Sequence, residues 1–347
     1  MNFSEMRFSR KCITIFCGVL FLFSFLSHSL AQLPESKHFQ LQQLSDGVYA
    51  AIHSFGGYAI CNAGIIDLGD RTLIFDPFMT PDAADDLRRA AKTLTASPIA
   101  YVVNSHFHND HIRGNQIFPQ AAIISTKATR DSIFKQEAGQ IEYEKEHAPK
   151  RLSDMKAALQ NEKDKWTRQE LTMWLGYYQG MIASHPKLTP TVPNVTFENR
   201  LTIHGKQRTV ELISYGPGHT EGDLFLYLPD ENIAFMGDLL FVGMHPWLAD
   251  GDPDSWISIL TQVKSLGVKT VVPGHGPVGN VDDINTMIGY IKTMSQVAQG
   301  LIDNGKTKED ISLDYLPAQF KDWWLRRFFP LNLEFMYERI VARQSAK

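Results

Sequence analysis

The run His-Phe-His-Asn-Asp-His at residues 106–111 constrains this chain more than any other segment. Four of its six side chains can bind a metal ion. It follows Ile99–Val103, an apolar run that is predicted to form a short buried strand, and functional residues concentrate in loops that a rigid scaffold positions. The cluster contains no cysteine, whereas structural zinc sites are usually rich in cysteine. The pattern therefore favours a catalytic metal site with an open coordination position.

Three later motifs share one form, in which a metal-binding side chain lies beside glycine after a predicted strand. They are Gly218-His219, Gly237-Asp238 and Gly274-His275. Glycine lets the backbone adopt unusual dihedral angles and approach a metal closely. We therefore predict a single metal centre on several loops. Its predicted ligands are His106, His108, Asp110, His111, His219, Asp238 and His275.

Strand and helix patterns predict an α/β fold with two β-rich halves and helices outside each half. Residues 44–77 are predicted to form antiparallel strands, and a helix is expected from Pro81 to Leu94 with Thr80 as its N-cap. Residues 126–188 are predicted to form an insertion of two or more amphipathic helices. This insertion either covers the cleft or packs on the sheet as an ordinary helical layer. Residues 282–347 are predicted to form a helical C-terminal extension whose aromatic side chains belong to the core.

The first 31 residues have the three-part layout of a secretory signal peptide. Arg7, Arg10 and Lys11 precede an apolar run from Cys12 to Leu26, and small residues end the segment at Ala31. The run is shorter than the roughly 20 residues that span a bilayer, so a cleaved signal is favoured over a retained anchor. We therefore expect export to the periplasm or the exterior, with residues 32–347 as a single domain that has no membrane attachment after cleavage.

The net charge bears on the binding partners to expect, and the cysteine content bears on whether a disulfide can form. The net charge of −4 does not favour a nucleic-acid partner, so a small-molecule substrate is expected. Without the signal segment, Cys61 is the one remaining cysteine, which excludes an intramolecular disulfide. Its apolar neighbours favour a buried small side chain over a ligand or nucleophile.

The order His-x-His-x-Asp-His, Gly-His, Gly-Asp and Gly-His resembles the metallo-β-lactamase fold superfamily over residues 44–279. The resemblance implies an αβ/βα four-layer sandwich and two metal ions. It implies a first site of His106, His108 and His219, and a second site of Asp110, His111 and His275. Asp238 matches the bridging carboxylate of the hydroxyacylglutathione hydrolase-like and lactonase-like branches. Asp76 matches a family aspartate that supports the metal loops, although a plain turn residue accounts for it equally well.

This reading predicts a zinc-dependent hydrolase with two Zn²⁺ per chain, iron or manganese being open alternatives. A water shared by two metals loses a proton near neutral pH, and the bound hydroxide would attack the carbonyl of an ester, lactone, thioester or amide. Asp110 is the candidate residue for orienting this nucleophile and passing a proton.

Two alternative activities remain open. The first is β-lactam hydrolysis, but zinc β-lactamases that use a cysteine ligand have it where Asp238 stands, and their substrate-binding lysine matches Phe241. The second is an iron-dependent oxidoreductase like the sulfur dioxygenases, which keep one iron, whereas seven ligands favour two metals. His245 and Trp247 follow the bridging aspartate and are expected to border the cleft. His245 is the candidate contact for a substrate carboxylate or an oxyanion, with a structural role equally open.

Overall fold

A computed structural model describes residues 33–345 of the chain. The predicted signal peptide, residues 1–31, lies outside this range. From Leu33 onward the chain forms one compact unit. None of the helices within the described range is both long enough and apolar enough to cross a bilayer.

Seven strands form the first sheet and follow one another in sequence order. They are β1 (Phe39–Ser45), β2 (Val48–His53), β3 (Ala63–Asp67), β4 (Thr72–Phe75), β5 (Ile99–Val103), β6 (Ala122–Thr126) and β7 (Val195–Phe197). β1 to β4 pair antiparallel, as the sequence predicted for the hairpins of residues 44–77. β4 to β7 pair parallel, which brings the carboxyl ends of β4, β5 and β6 to one edge.

Five strands form the second sheet, in the order β12-β11-β10-β9-β8. They are β8 (Arg200–His204), β9 (Thr209–Ile213), β10 (Phe225–Leu228), β11 (Ile233–Phe241) and β12 (Thr270–His275). All nine residues of β11 are buried, as expected for a strand covered on both faces. Asp238 therefore lies inside β11, and the expectation that it ends a strand was wrong. The pairing of β11 with β12 shifts register beside it, between Gly237 and Phe241.

The described residues form seven α-helices. They are α1 (Pro81–Leu94), α2 (Asn109–Ile112), α3 (Lys127–Asn161), α4 (Lys165–Ser184), α5 (Pro253–Ser265), α6 (Val281–Asp303) and α7 (Phe328–Ser345). α1 begins as predicted, because the Thr80 side chain accepts a hydrogen bond from the Ala83 N–H. The predicted insertion consists of the two long helices α3 and α4, which pack against each other between β6 and β7.

Three packed clusters establish the order of the layers. Between the sheets, Phe75 of β4 packs in one cluster with Phe235 of β11. Outside the first sheet, Leu87 of α1 packs with side chains of β3 and β5. Outside the second sheet, Trp256 of α5 and Phe329 of α7 share a core with residues of β10 and β11. The molecule is thus helix, sheet, sheet, helix, and the predicted αβ/βα four-layer sandwich is confirmed. The C-terminal extension docks on the second sheet as expected.

Candidate metal centre

The seven predicted ligands converge from the loops and strands at one edge of the sandwich. Residues 106–111 follow β5 and continue into α2, His219 lies between β9 and β10, and His275 is the last residue of β12. The structure brings all seven together in two adjacent groups, each with its potential ligand atoms within 4.8 Å of one another. The first group is His106, His108, His219 and Asp238, and the second is Asp110, His111 and His275.

The Asp238 carboxylate lies between the two groups and turns one oxygen toward each. Its Oδ2 is 3.4 Å from His219 Nε2 and 3.8 Å from His106 Nε2. Its Oδ1 is 3.1 Å from His111 Nε2 and 3.4 Å from His275 Nε2. One carboxylate therefore faces both groups, which is the placement that a bridging ligand requires.

The remaining ligand atoms complete each group. His108 presents Nδ1, which lies 3.0 Å from His219 Nε2. In the second group, Asp110 Oδ2 lies 3.5 Å from His111 Nε2 and 3.3 Å from His275 Nε2. His108 is thus the one histidine of the set that turns Nδ1 rather than Nε2 toward the centre.

Asp76 stabilises the loop of residues 105–111 through hydrogen bonds to both of its ends. Its Oδ1 accepts the Ser105 N–H at 2.8 Å, and its Oδ2 accepts the Ser105 hydroxyl at 2.7 Å and the His111 Nδ1–H at 2.8 Å. Because the Ser105 hydroxyl donates to Asp76, it accepts from His106 Nδ1, 2.9 Å away. Both rings are thereby oriented with Nε2 toward the centre. This arrangement matches the support expected for Asp76.

Trp247 and Asp250 orient the other two histidines of the first group. The Trp247 carbonyl accepts from His219 Nδ1 at 3.0 Å. Asp250 Oδ2 lies 3.0 Å from His108 Nε2 and also accepts the Trp247 indole N–H at 2.9 Å. Asp250 was not predicted from the sequence. The available signal was an acidic residue in the loop after β11, which alone does not distinguish it from other surface aspartates.

Three buried atoms at the centre lack a hydrogen-bond partner within residues 33–345: His106 Nε2, His111 Nε2 and Asp238 Oδ1. The last two approach to 3.1 Å without the alignment of a hydrogen bond. Buried polar atoms are normally satisfied, so converging unpartnered atoms of this kind indicate a site built for a cation. Imidazole and carboxylate together suit zinc, iron or manganese. The residues therefore fit a two-metal centre.

The pKa values differ between the two groups. Burial lowers the pKa of His219 to about 3 and lowers that of His106 as well, so both imidazoles have free lone pairs at neutral pH. At His275, burial acts in the same direction but is outweighed by Asp238 and Asp110, which raise its pKa to about 9. A cation entering the second group must therefore displace a proton, whereas His106 and His219 are already deprotonated.

A cavity of about 810 Å³ opens onto both groups. Its wall includes His108, Asp110, Asp238 and His275 from the centre, Ile133, Arg151, Trp174 and Tyr177 from α3 and α4, and Trp247, Arg327 and Phe328. The helical insertion therefore forms part of the cavity wall.

His245 does not reach this cavity. It is fully buried, its Nδ1 lies 3.0 Å from the Tyr290 hydroxyl, and its ring packs on Trp323 and Phe329. A direct substrate contact by His245 is at odds with this position, and the side chain belongs to the core under α7. Trp247 does line the cavity, as expected. Cys61 is buried, and its thiol donates to the Asp110 carbonyl at 2.9 Å.

Curated proteins of two kinds are similar to this chain. It is 30% identical over 96 residues to a metallo-beta-lactamase type 2 from Bacteroides fragilis. The matched segment makes up 26% of this chain and 39% of that protein. It is 24% identical over 219 residues to a hydroxyacylglutathione hydrolase from a Synechococcus species, which covers 60% of each. The chain thus spans less than two thirds of the length of either relative.

Solved structures show the same fold. A metallo-beta-lactamase from Pontibacter korlensis superposes with a TM-score of 0.54 at 18% identity, over 73% of this chain and 99% of that one. VMB-1 superposes with a TM-score of 0.53 at 19% identity, over 75% of this chain and 99% of that one. At such low identity the likeness concerns the fold alone.

The family profile described as the metallo-beta-lactamase superfamily matches residues 56–275. This range covers more than half of the chain and contains all seven ligand candidates. The fold, the position of the ligand loops and the sequence match agree with one another. The chain belongs to the metallo-β-lactamase superfamily.

Proposed function

We propose that this protein is an exported hydrolase that uses two metal ions, zinc in the first instance, to cleave a small carbonyl compound. The candidate bonds are those of an ester, lactone, thioester or amide. The observation that carries the proposal is the position of Asp238, whose two oxygens face different histidine groups. Membership of the metallo-β-lactamase superfamily supports the same conclusion, and so does the His/Asp cluster within the residues that match the family profile.

Each group of side chains has a separate task in this proposal. His106, His108 and His219 would hold the first ion, Asp110, His111 and His275 would hold the second, and Asp238 would be available to both groups. When bound, such ions supply Lewis acidity and lower the pKa of a coordinated water.

Asp110 is the proposed catalytic carboxylate. It lines the cavity, and its Oδ2 lies 3.3 Å from His275 Nε2. Although burial alone raises its pKa, His111 and His275 lower it to about 2, so the carboxylate is ionised at neutral pH. Asp110 can therefore accept a hydrogen bond from an attacking water and orient it.

The cavity volume and the N-terminal sequence support the remaining parts of the proposal. A volume of about 810 Å³ is in the range of small-molecule sites. Export rests on the sequence of residues 1–31 alone. A thioester is among the candidates because one relative is a hydroxyacylglutathione hydrolase.

β-Lactam hydrolysis is the second candidate activity, because the relatives and the superposed structures include metallo-β-lactamases. Phe241 argues against it. Its ring lines the cavity and stacks on His275 with centroids 5.0 Å apart, so the position offers an apolar face instead of a cation for a drug carboxylate.

The test combines elemental analysis of protein purified without added metal with a panel of nitrocefin, a homoserine lactone, an aryl ester and a glutathione thioester. About two zinc ions per chain and turnover of any of the last three would support the proposal. Turnover of nitrocefin alone would favour the second candidate. About one iron per chain with an inert panel would contradict both and favour the oxidoreductase.

A matched pair of variants ties the result to the site. His108→Ala is expected to lose metal and activity. His204→Ala, at an exposed position on β8, is expected to retain both metal and activity. Within residues 33–345, the only hydrogen-bond partner of the His204 ring is Thr209 on the neighbouring strand β9.

A further inference from the structure

Two arginines line the cavity without an acidic partner. Arg151 lies on α3 and Arg327 directly precedes α7, and both also line an adjoining cavity of about 420 Å³. Within residues 33–345 neither forms an ion pair with a carboxylate. Arg113 provides the contrast, because it pairs with two glutamates at 2.7 Å.

The Arg327 guanidinium lies against two aromatic rings. Its guanidinium carbon lies 3.3 Å from the centroid of Trp174 and 5.4 Å from that of Phe328. A guanidinium that packs on aromatic rings can still donate two parallel hydrogen bonds to an anion. Desolvation lowers the Arg327 pKa, so the charge lies where an anion would stabilise it.

The acidic side chains nearby do not neutralise these arginines. Asp154, which lines the adjoining cavity, is paired with Lys150 at 2.7 Å. The charge of Glu170 acts to raise the Arg327 pKa, but Glu170 forms no ion pair with Arg327. Burial raises the pKa of Glu170 itself. Arg151 donates to two neutral hydroxyls, at 3.0 Å to Tyr143 and 3.5 Å to Tyr178.

A row of aromatic rings connects the metal centre with Arg327. Trp247, whose carbonyl holds His219, contacts Phe328 with ring centroids 5.5 Å apart. Phe328 contacts Trp174 with centroids 6.0 Å apart, and Trp174 carries the Arg327 guanidinium. A ligand lying along this row would meet candidate metal ligands, then an apolar aromatic wall, and then a cation.

We propose that the cavity selects carbonyl substrates that carry a carboxylate on an apolar or aromatic body, with Arg151 and Arg327 binding the carboxylate and Trp174 and Phe328 the body. The proposal rests on the proposed hydrolase function for the position of the bond that is cleaved. Arg327 and Phe328 lie outside the residues that match the family profile, whereas Arg151 and Trp174 belong to the helical insertion within the matched range.

The first experiment measures binding and does not depend on turnover. Isothermal titration calorimetry of the metal-loaded protein would compare 4-phenylbutyrate with 4-phenylbutanamide, which have the same shape but differ in charge. We expect the acid to bind about 10-fold more tightly or better, since charge-assisted hydrogen bonds are the stronger kind. In the double variant Arg151→Gln/Arg327→Gln the preference should fall to about twofold or less.

Lys156→Gln is the matched control, because it removes a positive charge from the same helix as Arg151 at an exposed position that lines neither cavity. Its preference should equal that of the wild type. Equal binding of the two probes by the wild type would overturn the proposal. So would a preference that survives in the double variant, because the carboxylate would then bind to the metal ions alone. Circular dichroism would verify that each variant is folded.

The second experiment separates this proposal from the proposed function. Mono-4-nitrophenyl glutarate and 4-nitrophenyl butyrate contain the same scissile ester, but only the first is anionic. We expect kcat/KM to favour the glutarate ester about 10-fold or more, mainly through KM, and the double variant to lose this preference. If neither ester is cleaved, the proposed function fails for esters, and the calorimetric result alone decides the carboxylate proposal.

Discussion

Asn109 donates from Nδ2 to Glu144 Oε1 across 2.8 Å and thereby fastens the ligand loop to the helical insertion. Asn109 stands between the candidate ligands His108 and Asp110, whereas Glu144 belongs to α3. Glu144 also accepts from Arg113 at 2.7 and 3.1 Å. The wall of the cavity and the metal loop are therefore joined by a buried polar network, and neither is free to shift alone.

Arg113→Met should strongly destabilise the fold. The arginine pairs with Glu137 and Glu144, and all three side chains are buried. Removing one partner of a buried ion pair leaves uncompensated charge, so we expect a loss of about 3–5 kcal/mol in the free energy of unfolding, measured by urea denaturation. Arg88→Met, which breaks a surface pair with Asp85, should cost about 1 kcal/mol or less. Equal losses in the two variants would contradict this prediction.

Asp250→Asn should weaken metal binding without abolishing it. Asp250 accepts from His108 Nε2 and from the Trp247 indole, so it orients a ligand without being one. Loss of such a supporting carboxylate usually reduces metal affinity about 10- to 100-fold. Competition with a chromophoric chelator would measure the change. Asp303→Asn, at the exposed end of α6, should leave the affinity unaltered, and an unaltered affinity in Asp250→Asn would refute the role of Asp250.

Gly274→Ala should disrupt the centre through a single methyl group. A Cβ at this position would lie 1.9 Å from Asp238 Oδ1, far inside van der Waals contact, so the carboxylate would have to leave its place between the two groups. We expect loss of bound metal, measured by elemental analysis. Gly289→Ala in α6 is the control, because a Cβ there meets no described atom within 4 Å. It should retain the metal and gain about 0.5–1 kcal/mol of stability from its helical position. Full metal content in Gly274→Ala would show that Asp238 is not a required ligand.

His245 should make the stability of the protein depend on pH. Burial lowers its pKa from 6.5 to about 4. Between these values the unfolded chain takes up a proton that the native protein does not, so the free energy of unfolding falls as the pH falls, by up to about 1.4 kcal/mol per pH unit. The loss begins below pH 6.5 and is complete near pH 4. Other groups also titrate in this range, so the comparison is with His245→Gln. Urea denaturation at pH 7, 6 and 5 should give a shallower dependence in this variant, and identical curves would contradict the assignment.

The ligand set was accessible from the sequence because each member has a local signal. His219, Asp238 and His275 each follow glycine, and residues 106–111 form one compact cluster. The strand β6 was not predicted, and its residues, Ala122–Thr126, directly precede the helical insertion that was predicted from residue 126. Its recognition depends on pairing with β5 and β7, which no local pattern encodes.

Residues that act across distant segments could not be predicted in this way. Asp250 reaches His108 over 142 positions of sequence, and Arg327 stacks on Trp174 from the other end of the chain. His245 was assigned to the cleft because it closely follows Asp238. β11 instead continues to Phe241, and the turn after it directs His245 under α7, where its N–H donates to the Trp324 carbonyl.

The cavity wall formed by α3, α4 and the start of α7 contains none of the seven ligand candidates. In the proposed function, substrate recognition and catalysis therefore belong to different segments of the chain. A library of substitutions confined to those helices could change which compounds are accepted while sparing every atom that holds a cation. The same division would let related proteins evolve new substrate specificities through substitutions in these helices alone, while the metal ligands stay unchanged.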